Sequence, residues 1–451
     1  MDINLLHNKK VSVIGAVRSG VAAAILLKSH GAKVFVSDSA VADKLQSSIP
    51  SLQSEKIEYE VGKHSDRVYG CELMVISPGV PSNAPVVLEA QKRKIKVVSE
   101  LEVGSWFCRA PMVAITGSNG KTTTTTLTGR ILSDAAKKHV VAGNIGTAFS
   151  SVVLELAETD VAVLEVSSFQ LDTIDTFRPK ISVLLNITPD HMDRYDHSME
   201  KYAASKARVF KNQRADDVLI YNVDDTWTNK VVLNAQCRKL GFSVNQKLSK
   251  GAFIENGKLV TSFSGTRTEV IDVSQIFLKG MHNLYNAMAA VLVGQLLKVD
   301  APLIQSTLKT FEGVEHRLEF VRKLNDVSYY NDSKATNVDS VWFALQSFKE
   351  PIVLFLGGRD KGNDYSRLTD LVQKQVKTIV AIGESANLVE QSFKGATVVK
   401  KASSMEEAVD IARFLAQPGD VVLLSPACAS FDWFKNYEHR GEVFKQLVNK
   451  L

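Results

Sequence analysis

TGSNGKTT, residues Thr116 to Thr123, lies between an apolar run (Met112-Val113-Ala114-Ile115) and a helix-length segment, Lys121 to Leu132. Strand, glycine turn, helix is the setting in which backbone N–H groups and a helix N-terminus hold phosphate. Gly117, Ser118, Asn119 and Gly120 form the turn. Lys121 is placed to reach the β- and γ-phosphates, and the hydroxyl of Thr122, followed by Thr123, suits Mg²⁺. The loop is shorter than the common nucleotide motif, with GxxGKT where GxxxxGK[ST] is usual. Five threonines, Thr122 to Thr126, then open the helix although threonine is a poor helix former. A local rule broken at a helix start points to function more than to fold.

The chain around this loop has 451 residues, enough for three domains at about 150 residues each. Its apolar share, 45%, is that of a soluble globular protein. Lys and Arg number 54 against 49 Asp and Glu, a net charge of +5, and the charges are interspersed. That pattern suits small anionic ligands and argues against a nucleic-acid track, which needs a clustered patch. The opening MDINLLHNKK lacks the charged-then-apolar order of a signal peptide. No uninterrupted apolar run approaches the length of a membrane span. Cys71, Cys108, Cys237 and Cys428 are far apart and form no CxxC pair. They are expected to be buried structural thiols in a reduced cytoplasm.

The first hundred residues alternate strand-like and helix-like runs: Lys10 to Ile14, Gly20 to Ser29, Val34 to Ser37, then Leu73 to Ser77. This is a βαβ pattern with a parallel sheet, and a boundary is expected between Leu101 and Pro111. The middle part continues through Val161 to Val166 and Ile181 to Leu185. Polar-apolar alternation from Leu259 to Val273 predicts a small antiparallel addition, and His282 to Leu297 a helix. A second boundary is expected near Gly313. The last part alternates again, with strands expected at Asp326 to Tyr330, Ile352 to Leu356, Thr378 to Ile382 and Val421 to Leu424. The expected architecture is α/β, in three domains with mainly parallel sheets.

In open parallel sheets, ligands bind outside the carboxyl ends of strands. After Lys10 to Ile14 comes Gly15-Ala-Val-Arg18-Ser19-Gly20, with Val17 where a dinucleotide fingerprint has its second glycine. Asp38, after the next strand, is placed to bond a ribose hydroxyl, and Ser77-Pro78-Gly79 closes a third strand end. A nucleotide-like ligand and a tight turn with a solvated aspartate are both open readings here. Glu165 ends a strand beside the phosphate loop and can hold Mg²⁺ directly or through water. Asp190, His191, Asp193 and Arg194 crowd one turn, which favours metal or substrate contact. Lys206, in YAASKARVF, reads from its neighbours as a surface lysine. In the last part, Thr336 or Asn337 looks like a helix N-cap. Lys361, Thr336 and Ser430 follow three different strands expected to share one sheet edge, a setting for a small carboxylate.

The stretches TGSNGKTT, GNIG (Gly143 to Gly146), LEVSSFQLD, PDHMDR, MHNLYNA (Met281 to Ala287), EHR (Glu315 to Arg317) and NDSKATN resemble, in this order, the Mur ligases. These are the ATP-dependent amide-forming enzymes of peptidoglycan synthesis. DSKATN and LSPACASFDWFKNYEHRG resemble the D-glutamate-adding members. The resemblance spans essentially the whole chain and is weaker in the first domain, where Val17 and Ser39-Ala40 depart from the pattern. It implies a Rossmann-like UDP-substrate domain (1–105), a central P-loop ATPase-type domain (106–313) and a Rossmann-like C-terminal domain (314–451). It implies a cytoplasmic monomer that forms an acyl phosphate on UDP-N-acetylmuramoyl-L-alanine and lets D-glutamate attack it.

By that resemblance, Lys121 steadies the β- and γ-phosphates, and Thr122 with Glu165 serves one Mg²⁺. His191 serves a second, with Lys206 as a carbamate. Asn283, Arg317 and Asp332 hold adenine and ribose, so the C-terminal domain is expected to close on ATP. Arg18, Ser19, Asp38, Ser77, Asn144, Ser167, Gln170 and Arg194 hold the UDP-sugar. Thr336, Lys361, Ser430 and Phe431 hold D-glutamate. Two of the competing readings are close in chemistry. A ligase for another amino acid would carry a different C-terminal signature, and folylpolyglutamate synthetase shares the short phosphate loop without the UDP-type domain. The other two lie in different classes. An NAD-dependent oxidoreductase leaves the phosphate loop unexplained, and a nucleotide-binding regulatory module predicts no amino-acid-driven phosphate release.

Overall fold

The computed structural model describes residues 6–263 and 265–451, so the start of MDINLLHNKK and Ser264 of the alternating segment lie outside the described residues. The chain forms two compact units, one of Met1–Ile276 with Tyr285–Thr310 and one of Phe277–Leu284 with Phe311–Leu451.

The first unit holds two sheets. In one, β1 (Lys10–Ile14), β2 (Lys33–Asp38), β3 (Glu58–Val61), β4 (Leu73–Ile76) and β5 (Lys96–Ser99) run parallel in the order β3-β2-β1-β4-β5. Strand order reverses between β1 and β4, which opens a crevice at their carboxyl ends. The other sheet has β6 (Met112–Thr116), β7 (His139–Gly143), β8 (Val161–Glu165), β9 (Ile181–Leu184), β10 (Val218–Asn222), β11 (Arg238–Ser243), β12 (Gly251–Glu255), β13 (Lys258–Phe263) and β14 (Thr266–Asp272). Its order is β14-β13-β12-β11-β10-β9-β6-β8-β7. The strands are parallel up to β12, and β13 and β14 add the antiparallel extension. Every residue of β6, β8 and β9 is buried, as expected of strands covered on both faces, and this is why they read as unbroken apolar runs.

The stretch from Leu101 to Pro111, where a domain boundary is expected, is no loose linker. Helix Glu100–Phe107 fills most of it, capped by the Ser99 hydroxyl, which accepts the Glu102 N–H. Glu102 is fully buried, and its carboxylate accepts hydrogen bonds from the Trp106 indole (2.8 Å) and from the N–H groups of Asp175 (2.9 Å), Thr176 (2.8 Å) and Phe177 (2.9 Å). Glu100, also fully buried, accepts the Ser150 N–H at 2.6 Å, and burial raises its pKa. Leu27, Leu101, Phe149 and Leu164 belong to one apolar cluster spanning both sheets. Gly104 permits the close approach of Phe149, since a Cβ there would lie 2.6 Å from its ring.

The second unit is built on β15 (Glu319–Leu324), β16 (Val327–Asn331), β17 (Ile352–Gly357), β18 (Val376–Ile382), β19 (Val398–Lys401) and β20 (Val421–Leu424). Their order is β15-β16-β20-β17-β18-β19, parallel except for the β15–β16 hairpin. The neighbours β16, β20 and β17 carry the three loops expected to share an edge, and those loops do emerge together at their carboxyl ends.

No helix among the described residues is long and apolar enough to cross a membrane. Cys237 and Cys428 are buried thiols, but Cys71 and Cys108 are only half-buried, so the structural reading holds for two of the four.

Candidate active site

Residues 117–120 turn between β6 and helix Lys121–Asp134. Gly120 has φ +85°, and a Cβ on it would lie 2.2 Å from Asn286 Oδ1, so both backbone and space demand glycine. No side chain caps this helix, which leaves its first-turn N–H groups for a ligand. Asn186, just beyond β9, fixes the turn. Its side chain accepts the Asn119 N–H (2.8 Å) and donates to the Asn119 carbonyl (3.0 Å), while its own carbonyl accepts the Ser118 N–H (3.0 Å). The Ser118 hydroxyl donates to the Thr188 carbonyl at 2.8 Å and lies 3.2 Å from the Tyr202 hydroxyl. Asn186 and Tyr202 were missed by the sequence reading. Their only signal is position, one after a strand and one a turn before Lys206.

Lys121 Nζ donates to the carbonyls of Gly117 (2.9 Å) and Ser118 (2.7 Å). Lys206 Nζ donates to the same Gly117 carbonyl at 2.8 Å and lies 4.5 Å from the centre of the Tyr202 ring. The surface reading of Lys206 is therefore corrected: the residue is 1% exposed. Helix Met199–Ala207 turns its Tyr202, Ala203, Ser205 and Lys206 inward, where small neighbours give the lysine stem room. Burial, with the Lys121 ammonium close by, holds the Lys206 amine well below its ordinary pKa.

Glu165, at the end of β8, is 3% exposed. One carboxylate oxygen accepts the Thr122 hydroxyl (2.8 Å), and the other accepts the Asn144 side-chain amide (2.9 Å). These hard oxygen groups around a phosphate loop match the donor chemistry of Mg²⁺. His191 has a left-handed backbone (φ +52°), and its Nε2 lies 3.6 Å from Asp190 Oδ2. Its ring meets Phe169 edge-on at 5.0 Å, and the Arg194 guanidinium lies over the same Phe169 at 3.9 Å.

A cavity of about 830 Å³ opens at the carboxyl ends of β1 and β4. It brings together Arg18, Ser19, Asp38, Ser77 and Asn144, five of the eight residues expected at the UDP-sugar. Asp38 also braces the first turn, since its oxygens accept the N–H groups of Ala16 (2.6 Å) and Ala40 (2.8 Å). A ribose hydroxyl would have to use its remaining lone pairs. The Ser77 hydroxyl donates to the Gly15 carbonyl at 3.2 Å. Val17 stands 58% exposed at the cavity wall. Arg194 faces a separate small recess with Asn83 and Phe169. Ser167 and Gln170 close a capping box on each other, and Gln170 is fully buried. Asn144 lines the large cavity and also bonds Glu165, so the cavity wall and the phosphate loop share one hydrogen-bond chain.

In the second unit, Asp332 is 1% exposed, and its carboxylate accepts the Ser425 hydroxyl (2.8 Å) and the Leu318 N–H (3.2 Å). Burial pushes its pKa up to about 6, against the opposing pull of Arg317. Asn283 is buried and donates to the Lys279 carbonyl at 2.9 Å. Asn337 is the N-cap, accepting the Ser340 N–H at 2.8 Å, which leaves Thr336 half-buried beside it. Lys361 and Phe431 are exposed, whereas Ser430 is 2% exposed. Arg440, missed in the sequence, is buried and ties two of these loops, donating to the carbonyls of Ser333 (2.8 Å) and Cys428 (3.1 Å).

Models of three domains match the chain: the MurD N-terminal domain over residues 10–86, the Mur ligase middle domain over 115–294, and the Mur ligase, glutamate ligase domain over 316–428. The UDP-N-acetylmuramoylalanine–D-glutamate ligase of Salinibacter ruber is 46% identical, covering 99% of both chains. The ligase of the same name from Koribacter versatilis is 45% identical, over 100% of this chain and 99% of its own. The chain belongs to the Mur ligase family. Among solved structures, a pseudomurein peptide ligase type C from Methanothermus fervidus matches with a TM-score of 0.62 at 21% identity, covering 98% of this chain and 100% of its own. The UDP-N-acetylmuramate-alanine ligase MurC of Thermotoga maritima matches with a TM-score of 0.60 at 17% identity, covering 98% and 99%. At these identities the likeness is one of fold. The α/β, three-part organisation expected from the sequence is that of the Mur ligases.

Proposed function

We propose that this chain is an ATP-dependent ligase that joins D-glutamate to UDP-N-acetylmuramoyl-L-alanine in peptidoglycan precursor synthesis. The observation that carries the reading is the chain Asn144–Glu165–Thr122, which links the wall of the large cavity to the phosphate loop. A sugar nucleotide in that cavity presents its carboxylate to the phosphoryl donor held by residues 117–123. The γ-phosphoryl passes to the carboxylate, the amine of D-glutamate attacks the acyl carbon, and the tetrahedral intermediate expels phosphate. The protein contributes mainly position and charge.

Lys121 neutralises the β- and γ-phosphates. Thr122 and Glu165 hold one Mg²⁺, and His191 with Lys206 serves a second; Mg²⁺ supplies charge neutralisation on the phosphates. Arg18, Ser19, Asp38, Ser77 and Asn144 hold the sugar nucleotide, with Arg194, Ser167 and Gln170 as further members. Asn283, Arg317 and Asp332 hold the nucleoside, and Thr336, Lys361, Ser430 and Phe431 hold D-glutamate. The chain divides functionally at 105 and 313 on this reading. It acts as a cytoplasmic monomer, and sedimentation as a dimer would contradict that.

Lys206 carries a carbamate in this account. Its lowered pKa raises the share of unprotonated amine, the form that adds to CO₂ with loss of a proton, and the product is a carboxylate-like ligand. Labelling with ¹³C-bicarbonate should give a carbamate carbon resonance that disappears in Lys206→Ala. Its persistence in that variant would remove the assignment.

Phosphate release from ATP with UDP-N-acetylmuramoyl-L-alanine tests the reaction, comparing D-glutamate, L-glutamate, L-alanine and meso-diaminopimelate. Release is expected with D-glutamate alone. Release with another of the four would overturn the second-unit assignment, and none with any would overturn the ligase reading.

A further inference from the structure

The amino ends of the first sheet's strands carry a second cavity, of about 590 Å³. Lys10, Lys28, Lys33, Lys56 and Arg67 line it, against one carboxylate, Glu58. Glu58 is already paired with Arg67. Lys28 is held by the carbonyls of Glu55 and Lys56. The ammonium groups of Lys10, Lys33 and Lys56 form no ion pair among the described residues, although the Glu72 carboxylate beside the groove accepts the Lys10 backbone N–H at 3.1 Å. Lys10 and Lys33 are Cα partners in the parallel β1–β2 register, so two exposed lysines start from neighbouring positions at the strand starts. Like charges at that spacing repel, and an anion between them relieves the repulsion. A flat wall adjoins the charges, where the Arg67 guanidinium lies 4.3 Å from the centre of the Phe35 ring.

We propose that this groove binds a small polyanion, a metabolite carrying two or more phosphate groups. The net excess of cations selects charge, and the paired lysines at the strand starts suit two neighbouring phosphates. The concave volume suits a small molecule rather than a bilayer surface. The site is separate from the phosphate loop and from the large cavity. It is nonetheless coupled to the latter in sequence: β1 and β2 begin with Lys10 and Lys33 and end at Ile14 and Asp38, roughly 13 and 16 Å away along extended strands.

Inorganic tripolyphosphate is the probe, titrated calorimetrically into the full chain with ADP and UDP saturating the other phosphate sites. The wild type should bind one equivalent, weakening as salt rises. The variant Lys10→Gln/Lys33→Gln/Lys56→Gln should bind roughly tenfold more weakly, since each exposed charge contributes a factor of a few. Its ligase activity should be unchanged. Cys71, half-buried in the lining, gives a second readout on the wild type alone. Its reaction with a thiol reagent, followed by peptide mass, should slow when tripolyphosphate is bound. Equal affinity in both proteins, no protection of Cys71, or binding to phosphatidylglycerol vesicles with none to tripolyphosphate would each overturn the proposal.

Discussion

Lys121→Ala is expected to lower kcat by about a thousandfold, the loss typical of removing one preorganised charge from a developing phosphoryl transition state. The ammonium lies on the carbonyls of Gly117 and Ser118 at the mouth of an uncapped helix, and Lys121 does not line the large cavity. Binding of UDP-N-acetylmuramoyl-L-alanine should therefore stay within about twofold of wild type, as expected for a residue whose contacts are made in the transition state. Steady-state ADP formation with calorimetric binding separates the two effects. Full activity in the variant would remove the phosphate loop from the chemistry.

The second large effect is on stability. Glu102→Ala should destabilise the first unit by about 3–5 kcal/mol, the range for removing one partner of a buried charged network. The carboxylate gathers the backbone N–H groups of Asp175, Thr176 and Phe177, the Trp106 indole and the Thr176 hydroxyl, all donors left without an acceptor in the variant. Glu102→Gln should be nearly as harmful. Both oxygens accept, so the amide would set its own N–H groups against donors. Urea denaturation followed by intrinsic fluorescence measures both, and a loss under about 1 kcal/mol in Glu102→Ala, the level of an ordinary surface change, would contradict the role given to the network.

Glu102 also shows where the sequence is silent. Nothing in Glu-Leu-Glu-Val distinguishes a buried glutamate from a solvated one at a helix start, and its backbone partners lie more than 70 residues away. The phosphate loop was legible because its chemistry is local: two glycines, a lysine and a threonine act within one turn. Lys206 was not, since the Gly117 carbonyl to which it donates is 89 residues distant, and the Lys121 charge that helps lower its pKa is also far off in the chain. The buried strands β6, β8 and β9 announced themselves as apolar runs, whereas the short edge strand β3, with no residue fully buried, gave no signal. Asp38 lines the cavity, but its two backbone hydrogen bonds depend on how the Gly15 turn folds back, which spacing alone does not reveal. Gln170 illustrates the reverse case, where a family motif marks a residue that the capping box with Ser167 keeps inside.

The measurement that tests the central claim most directly is the fate of carboxylate oxygen. UDP-N-acetylmuramoyl-L-alanine labelled with oxygen-18 in its carboxylate is turned over with ATP and D-glutamate, and the released phosphate is analysed by mass. Transfer of the γ-phosphoryl to the carboxylate predicts one labelled oxygen in each phosphate, because the acyl C–O bond breaks when the amine attacks. Unlabelled phosphate accompanying amide formation would contradict the account.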